Sequence, residues 1–194
     1  MKKIIYLSTF SIVFAKQIIH NVETYENGNV QKIYYHRKTS NGIEKVQFEE
    51  YYENGVKQKQ GTYKDGEKNG LWTSWHDNGQ RLSEGTYKNG IKHGFWVGWH
   101  DNGQKQGEVT WKDGREDGLW IIWYENGQKN KELIWVGGKK QGDCTEWWGN
   151  GRKKLEGYWE NNKKGGTWTY WREDGRLIKD EIHEDGKLIK EKYY

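Results

Sequence analysis

Six histidines, one cysteine and a regularly spaced set of carboxylates are the side chains of this sequence that could do metal, nucleophilic or acid–base chemistry. His76 and His100 occupy equivalent places in neighbouring repeats. A single zinc ion needs imidazole nitrogens at about 2.0–2.1 Å, whereas equivalent residues of consecutive hairpins lie two strands, or roughly 10 Å, apart. Because neither histidine has a cysteine or a second histidine beside it, the pattern favours polar strand ends over a metal site.

An acidic residue recurs at one position of every repeat, as Glu84, Glu108, Glu132, Glu156 and Asp180. Catalysis by paired carboxylates needs two environments that separate their pKa values. A column of equivalent environments predicts instead a solvated ladder that faces Lys or Arg in neighbouring strands. Cys144 is the single cysteine, so it cannot form an internal disulfide. It stands where other repeats have Trp, and we interpret it as a small core residue.

Motifs for the common reaction classes are missing from the sequence. It contains no nucleophile elbow, phosphate-binding loop, dinucleotide fingerprint or twelve-residue calcium loop. The net charge of +4 is spread along the chain and not gathered in a basic block, as a nucleic-acid interface would require. The sequence therefore predicts a non-enzymatic protein with no cofactor, no metal site and no nucleic-acid partner.

A 24-residue repeat must position all of these side chains. Five full units cover 61–180 without a gap, and a partial unit covers 181–194. In the first unit, aromatic residues stand at the third, twelfth and fifteenth positions (Tyr63, Trp72 and Trp75), and glycines at the sixth, tenth and nineteenth (Gly66, Gly70 and Gly79). Residues 37–60 are a weaker copy, with three residues inserted upstream. We therefore divide the chain into 1–15, degenerate capping repeats at 16–60, and the array at 61–194.

Each unit contains two β-favouring segments separated by glycine-bearing turns, which predicts consecutive hairpins. Thirteen Trp and thirteen Tyr supply an aromatic core. Helices are disfavoured because each glycine costs about 1 kcal/mol relative to Ala. The predicted fold is all-β: an elongated antiparallel β-meander built of tandem 24-residue hairpin repeats. In this arrangement, the tenth-position glycine is expected to make room for the third-position aromatic of the neighbouring strand.

These units resemble MORN repeats, in the variant form found in bacterial proteins. The resemblance rests on the segments 61–72 and 75–79; it covers 61–180 well and 37–60 poorly, with Cys144 and Asn162 as departures. Bacterial chains made only of this variant are assigned to the YwqK-type antitoxin family, which implies a toxin as a binding partner. In other proteins, MORN repeats imply protein binding or membrane association.

A repeat array offers a long binding surface, and Trp and Tyr dominate interface hot spots. We therefore predict a scaffold that binds a protein partner through the twelfth- and fifteenth-position aromatics of the central units: Trp72, Trp75, Trp96, Trp99, Trp120 and Trp123. Two alternatives remain open. One is a cell-envelope carbohydrate binder that stacks sugars on Trp rows, and the other is membrane-surface association. Both faces of the predicted sheet carry Trp, so the sequence does not distinguish core rows from exposed rows.

The first residues allow two interpretations. Lys2 and Lys3 precede a mostly apolar run, and Val13-Phe14-Ala15 resembles the small-residue site of a signal peptide. The run is too short to cross a bilayer. We favour a signal peptide over residues 1–15, and hence export to the periplasm or the exterior. The alternative is an ordinary first strand of a cytoplasmic protein.

Overall fold

The computed structural model describes residues 5–7 and 18–194, and the described residues form strands and turns without a helix. The strands are β1 (Ile5–Leu7), β2 (Ile18–Thr24), β3 (Val30–Thr39), β4 (Gly42–Tyr51), β5 (Lys57–Lys64), β6 (Glu67–Trp75), β7 (Arg81–Lys88), β8 (Ile91–Trp99), β9 (Lys105–Lys112), β10 (Arg115–Glu116), β11 (Gly118–Trp123), β12 (Lys129–Val136), β13 (Lys139–Trp147), β14 (Lys153–Glu160), β15 (Lys163–Trp171), β16 (Leu177–Glu184) and β17 (Lys187–Tyr193). Since only Asp117 separates β10 from β11, these two segments continue one strand.

The chain forms two units, one ending at His93 and the other beginning at Gly94. In the first unit, β1 to β7 pair in chain order, each antiparallel to the next. In the second unit, the same order runs from residues 94–99 of β8 to β17. The predicted all-β antiparallel meander of hairpin repeats is therefore confirmed within each unit.

Two kinds of turn alternate along each unit. The short turn of the first full repeat, Asp65-Gly66, has positive φ at both residues, 51° and 82°, which is the backbone of a type I′ hairpin. The longer turn spans five residues, as at His76–Gln80, where the N–H of His76 donates to the carbonyl of Gln80 at 2.8 Å. Asp-Gly and Asn-Gly thus form the tight turns that their tolerance of positive φ predicts.

A bulge at the tenth-position glycine sets the register of each hairpin. Tyr63 pairs with Lys68, but the next pair is Gly61 with Trp72, so β6 contains two extra residues. Gly70 has a φ of +90° inside this bulge. All five tenth-position glycines have positive φ: Gly70, Gly94, Gly118, Gly142 and Gly166. A β-bulge with a left-handed glycine is the geometry that these positions require.

The sequence predicts correctly that the tenth-position glycine lies beside a third-position aromatic residue, but the predicted reason for the glycine is wrong. Gly70 does lie opposite the third-position aromatic Tyr87. However, a Cβ at Gly70 would meet the Thr62 hydroxyl oxygen at 2.7 Å, and no ring atom lies among its nearest neighbours. The glycine therefore allows the positive φ and the approach of Thr62, and it does not make room for the aromatic ring.

Asparagine side chains join several of the five-residue turns to the turn that follows. Asn126 accepts the N–H of Gln128 at 3.0 Å and donates through Nδ2 to the carbonyl of Gly149, one repeat later, at 2.7 Å. Asn54, Asn102 and Asn150 make the same donation to the following turn. One amide therefore stabilises its own turn and fixes the spacing to the neighbouring one.

The weaker N-terminal copy differs from the array in length. Its hairpin strands β3 and β4 have ten residues each, whereas β5 and β6 have eight and nine. This longer hairpin accounts for the three inserted residues. Of the segment 1–15, only residues 5–7 are described, and they pair with β2 as a first strand. The cleavage-like residues 13–15 and the rest of the predicted signal peptide lie outside the described residues.

Candidate partner-binding surfaces

Side chains alternate between the two faces of each unit. We call the face that carries Tyr63, Trp72 and Tyr87, with the equivalent residues of the second unit, the core face. The opposite face, which carries Leu71, Thr73 and the fifteenth-position tryptophans, is the open face. Side-chain contacts agree with this division, since Lys105 of the second unit binds the open-face Glu108 at 2.9 Å and lies 5.5 Å from the ring of Trp123.

The twelfth-position tryptophan lies flat on the sheet. The backbone of Gly61 is so close to the Trp72 ring that a Cβ there would overlap it. Tyr63 and Tyr87 stand edge-on at 5.3 and 5.9 Å, and the ammonium group of Lys68 covers the ring at 4.4 Å. Trp72 is therefore only 4% exposed, although no second layer of secondary structure covers this sheet among the described residues.

This packing buries two of the six predicted binding residues. Trp72 is core, and so is Trp96, which is 9% exposed; neither ring offers much surface to a partner in this structure. Trp120 is half-buried. The first position of its repeat is Val109, where the repeat of Trp72 has Gly61, so its ring cannot lie down in the same way. It is tilted at 54° against Trp135.

The fifteenth-position rings lie on the open face. Trp75, Trp99 and Trp123 are half-buried. Lysine ammonium groups lie over two further rings of this row, at 5.6 Å for Trp147 and 5.8 Å for Trp171. Such cation–π contacts cover part of each ring face. These rings are therefore rimmed by charge.

An exposed apolar stripe crosses the open face of the second unit, and sequence analysis missed it. Its members stand at position eleven or position two of a repeat: Phe95, Leu119, Ile134, Tyr158 and Ile182. Phe95 is 55% exposed and Leu119 is 46% exposed. Leu119 lies directly opposite Ile134, whereas Phe95, Tyr158 and Ile182 lie opposite the polar residues Thr110, Asp143 and Thr167. From β8 to β16 the stripe extends roughly 34 Å, at about 4.8 Å per strand.

The histidine column supplies hydrogen-bond donors. His100 Nε2 lies 3.0 Å from the carbonyl oxygen of Trp123, and because a carbonyl only accepts, Nε2 carries the hydrogen. In the next repeat Tyr124 donates its hydroxyl to the carbonyl of Trp147 at 2.8 Å, and Trp148 donates its indole N–H to the carbonyl of Trp171 at 3.2 Å. The column therefore needs a long side chain with a terminal donor, which explains why Tyr124 and Trp148 can replace histidine.

The acidic column pairs differently from the prediction. Glu108 binds Lys105 at 2.9 Å and Glu132 binds Lys129 at 2.6 Å. These lysines are three residues earlier in the same strand, so the expected partners in neighbouring strands are wrong for these pairs. Such exposed pairs contribute little stability.

Buried carboxylates at two other places are centres of polar networks. In the second unit, Glu181 accepts hydrogen bonds from Lys179 at 2.6 Å, Tyr170 at 2.7 Å and His183 at 3.0 Å. Burial would raise the pKa of Glu181, but these hydrogen bonds hold it well below its usual range. Glu181 therefore stays ionised near neutral pH, where it has no proton to donate and is a weak base.

Glu49 has a similar place in the first unit, with Tyr51 donating at 2.6 Å and Lys57 at 3.0 Å. Burial and the neighbouring Glu49 raise the pKa of Tyr35 to about 12. In the second unit, burial raises the pKa of Cys144, which disfavours a reactive thiolate. Within the described ranges, no three His, Cys, Asp or Glu side chains converge as metal ligands. Nor do those residues contain a helix long and apolar enough to cross a membrane.

Comparison with known proteins identifies the repeat. A family model described as the MORN repeat variant matches residues 46–65, 68–89 and 116–136, which confirms the predicted repeat type in these segments. The comparisons do not bear on the YwqK-type antitoxin family. No curated protein matches the sequence. A crystal structure of a protein with unknown function from Bacteroides fragilis NCTC 9343 is similar at 12% identity, over 93% of this chain and 94% of that chain, with a TM-score of 0.18.

Proposed function

We propose that this chain is a non-enzymatic repeat scaffold that binds a protein partner along the apolar stripe of its second unit. The observation that carries the proposal is the exposure of Phe95, Leu119, Ile134, Tyr158 and Ile182 in one row. These five side chains alternate along the row with the polar residues Thr110, Asp143 and Thr167. A row of exposed apolar residues marks an interaction site more often than scattered residues do. The half-buried rings of Trp99 and Trp123 lie on the same face and extend the surface.

The shape of the stripe favours a partner with one apolar ridge. The apolar side chains of the stripe recur every one or two strands, at about 4.8 or 9.6 Å. An amphipathic helix presents apolar residues one or two turns apart, at about 5.4 or 10.8 Å. The Lys–Glu pairs beside the stripe, such as Lys105 with Glu108, would face the polar flanks of such a helix. The resemblance to YwqK-type antitoxins makes a toxin protein one candidate for this partner.

Carbohydrate binding is less well supported. Sugars stack on open aromatic faces, whereas lysines partly cover Trp123 and Trp147, and Trp72 and Trp96 are buried. Unchanged sedimentation with cell-wall polymer after Trp75→Ala and Trp99→Ala would exclude stacking altogether.

Membrane-surface association is disfavoured by the interspersed Lys and Glu, since anionic lipid attracts clustered basic charge.

The test is to capture the partner with the tagged chain in the native host, identify it by mass spectrometry, and measure binding of the purified partner. We expect Leu119→Ser with Ile134→Ser to weaken binding by about tenfold or more, equivalent to 1.4 kcal/mol. Leu188→Ser is the matched control, because Leu188 is 50% exposed but lies in β17, outside the stripe. Equal binding by the stripe variant and the wild type would refute the proposal. For a toxin partner, growth arrest by the partner alone should be relieved by this chain.

A further inference from the structure

The core face of the first unit carries lysine charge that its packing role does not require. Lys45 lies 3.6 Å from the ring centre of Tyr63, and Lys68 lies over Trp72 at 4.4 Å and Tyr87 at 4.8 Å. Among the described residues, neither lysine forms an ion pair with a carboxylate. In the second unit, Lys164 covers Trp168 in the same way but also binds Glu181 at 3.3 Å. A lysine can therefore cover the tryptophan while its charge is compensated.

The lysines of the first unit also repel one another. Burial and the positive charges of Lys59, Lys45 and Lys92 lower the pKa of Lys68, and burial lowers the pKa of Lys45. Glu50 compensates a different part of this face, through Lys59 at 3.6 Å and Lys32 at 3.8 Å. Partly desolvated ammonium groups without a counter-charge interact strongly with an incoming anion.

We propose that Lys45 and Lys68 form a second binding surface, distinct from the apolar stripe, that takes an acidic polypeptide segment. Carboxylates of such a segment would bind the two ammonium groups above the Tyr63 and Trp72 rings. The two lysines stand on β4 and β6, roughly 10 Å apart at about 4.8 Å per strand, which matches three residues of an extended chain at about 3.3 Å each.

The covered rings argue against other anions. Single-stranded nucleic acid binds by stacking its bases on open aromatic faces, but Lys45 lies on the face of Tyr63 and Lys68 on that of Trp72. On this surface the ammonium groups are available to a ligand and the ring faces are covered, so it favours binding by charge. A flexible segment with several carboxylates can bind the ammonium groups without stacking on the rings.

The test is fluorescence anisotropy of a labelled hexaglutamate peptide with the full chain. We expect binding at low ionic strength that weakens steeply as salt rises, and a loss of about tenfold or more, equivalent to 1.4 kcal/mol, in Lys45→Gln with Lys68→Gln. The matched control is Lys140→Gln, which removes a lysine over Trp159 in the second unit and should leave binding unchanged. Circular dichroism checks that both variants are folded.

Three results would overturn the proposal: hexaglutamate that does not bind, binding that the double variant retains, or binding that the Lys140 variant loses equally. A single-stranded oligonucleotide of the same charge that binds more tightly would reassign the surface to nucleic acid. Preferential binding of phosphatidylserine vesicles would reassign it to membrane. If the double variant unfolds, the affinity of the wild-type chain for hexaglutamate still tests the proposal. An affinity that does not change with salt concentration would refute binding through Lys45 and Lys68.

Discussion

Leu133 lies directly opposite Cys144 in the pairing of β12 with β13, and both side chains are buried. In the first full repeat the same two positions are Gly61 and Trp72. In the first repeat the larger side chain of the pair is at the twelfth position, and here it is at the first position. Leu133 therefore fills the space that the small Cys144 side chain leaves. The break in the tryptophan column is therefore a compensated exchange of volume.

This exchange predicts strong coupling between the two positions. Cys144→Trp alone should overpack the site and lower the free energy of unfolding by about 1–3 kcal/mol. Leu133→Gly alone should leave a cavity and cost about 2–5 kcal/mol. The double variant restores the Gly–Trp pair and should lose much less than the two single changes together. Urea unfolding followed by circular dichroism measures this double-mutant cycle. If the losses in free energy of unfolding of the two single variants add up in the double variant, the two side chains do not share one space.

Glycine at the first position should be irreplaceable wherever a tryptophan lies on it. A Cβ at Gly157 would overlap the Trp168 ring, so Gly157→Ala should destabilise the chain by about 1–3 kcal/mol. Gly165, on the adjacent strand, would bring a Cβ only into ordinary contact with Tyr158 at 3.7 Å. Gly165→Ala should therefore be neutral or slightly stabilising. Equal effects of the two substitutions on thermal unfolding would contradict the flat tryptophan packing.

The donor column predicts which substitutions of His100 are tolerated. His100→Phe removes the donor to the part-buried Trp123 carbonyl and should lower the free energy of unfolding by about 0.5–1.5 kcal/mol, the net contribution of one hydrogen bond. His100→Tyr keeps a donor, as Tyr124 does in the next repeat, and should be close to wild type. Thermal melts of the two variants test this, and equal losses would show that the hydrogen bond is not what the column requires.

The Glu181 network predicts a stability that depends on pH. Because the pKa of folded Glu181 lies below its ordinary value, its contribution is complete above that value, about 4.3, and is lost as pH falls through the folded pKa. Glu181→Gln removes the carboxylate that Lys179 and His183 share. It should cost about 1–3 kcal/mol at pH 7, because Lys179 is partly exposed and keeps Glu191 at 3.5 Å.

The difference between wild type and this variant should narrow below about pH 4. The exposed Glu184→Gln serves as the control and should change stability by no more than about 0.5 kcal/mol. A constant difference from pH 7 to pH 3 would show that ionisation of Glu181 is not the source of the stability.

The spacing of glycine turns was enough to predict the hairpins, but not which tryptophan row is buried. In a regular hairpin that closes at Asp65-Gly66, Trp72 would stand opposite Lys59. The bulge at Gly70 shifts the pairing and places Trp72 on Gly61. That shift depends on backbone geometry, and no spacing in the sequence specifies it. The recurring tenth-position glycine, interpreted as a bulge, was the signal that could have found it.

The apolar stripe was missed for a different reason. Leu119 and Ile134 are ordinary strand residues in the sequence, and nothing in their types separates exposed from buried positions. The tryptophans were predicted to bind a partner because their rings are large. Large apolar side chains are also the ones that gain most from burial in the core. In a single sheet, the medium-sized residues on the opposite face are then left exposed to solvent.

Leu133 and Cys144 belong to one 24-residue unit, and so do Gly61 and Trp72. A duplication or exchange of a whole unit would therefore transfer each side chain together with the residue that accommodates it. The Asn126 amide, which reaches only the next turn, would find the same carbonyl in any following copy. An array of this kind can lengthen, shorten or shuffle by recombination between its own repeats without having to evolve a new core at each junction.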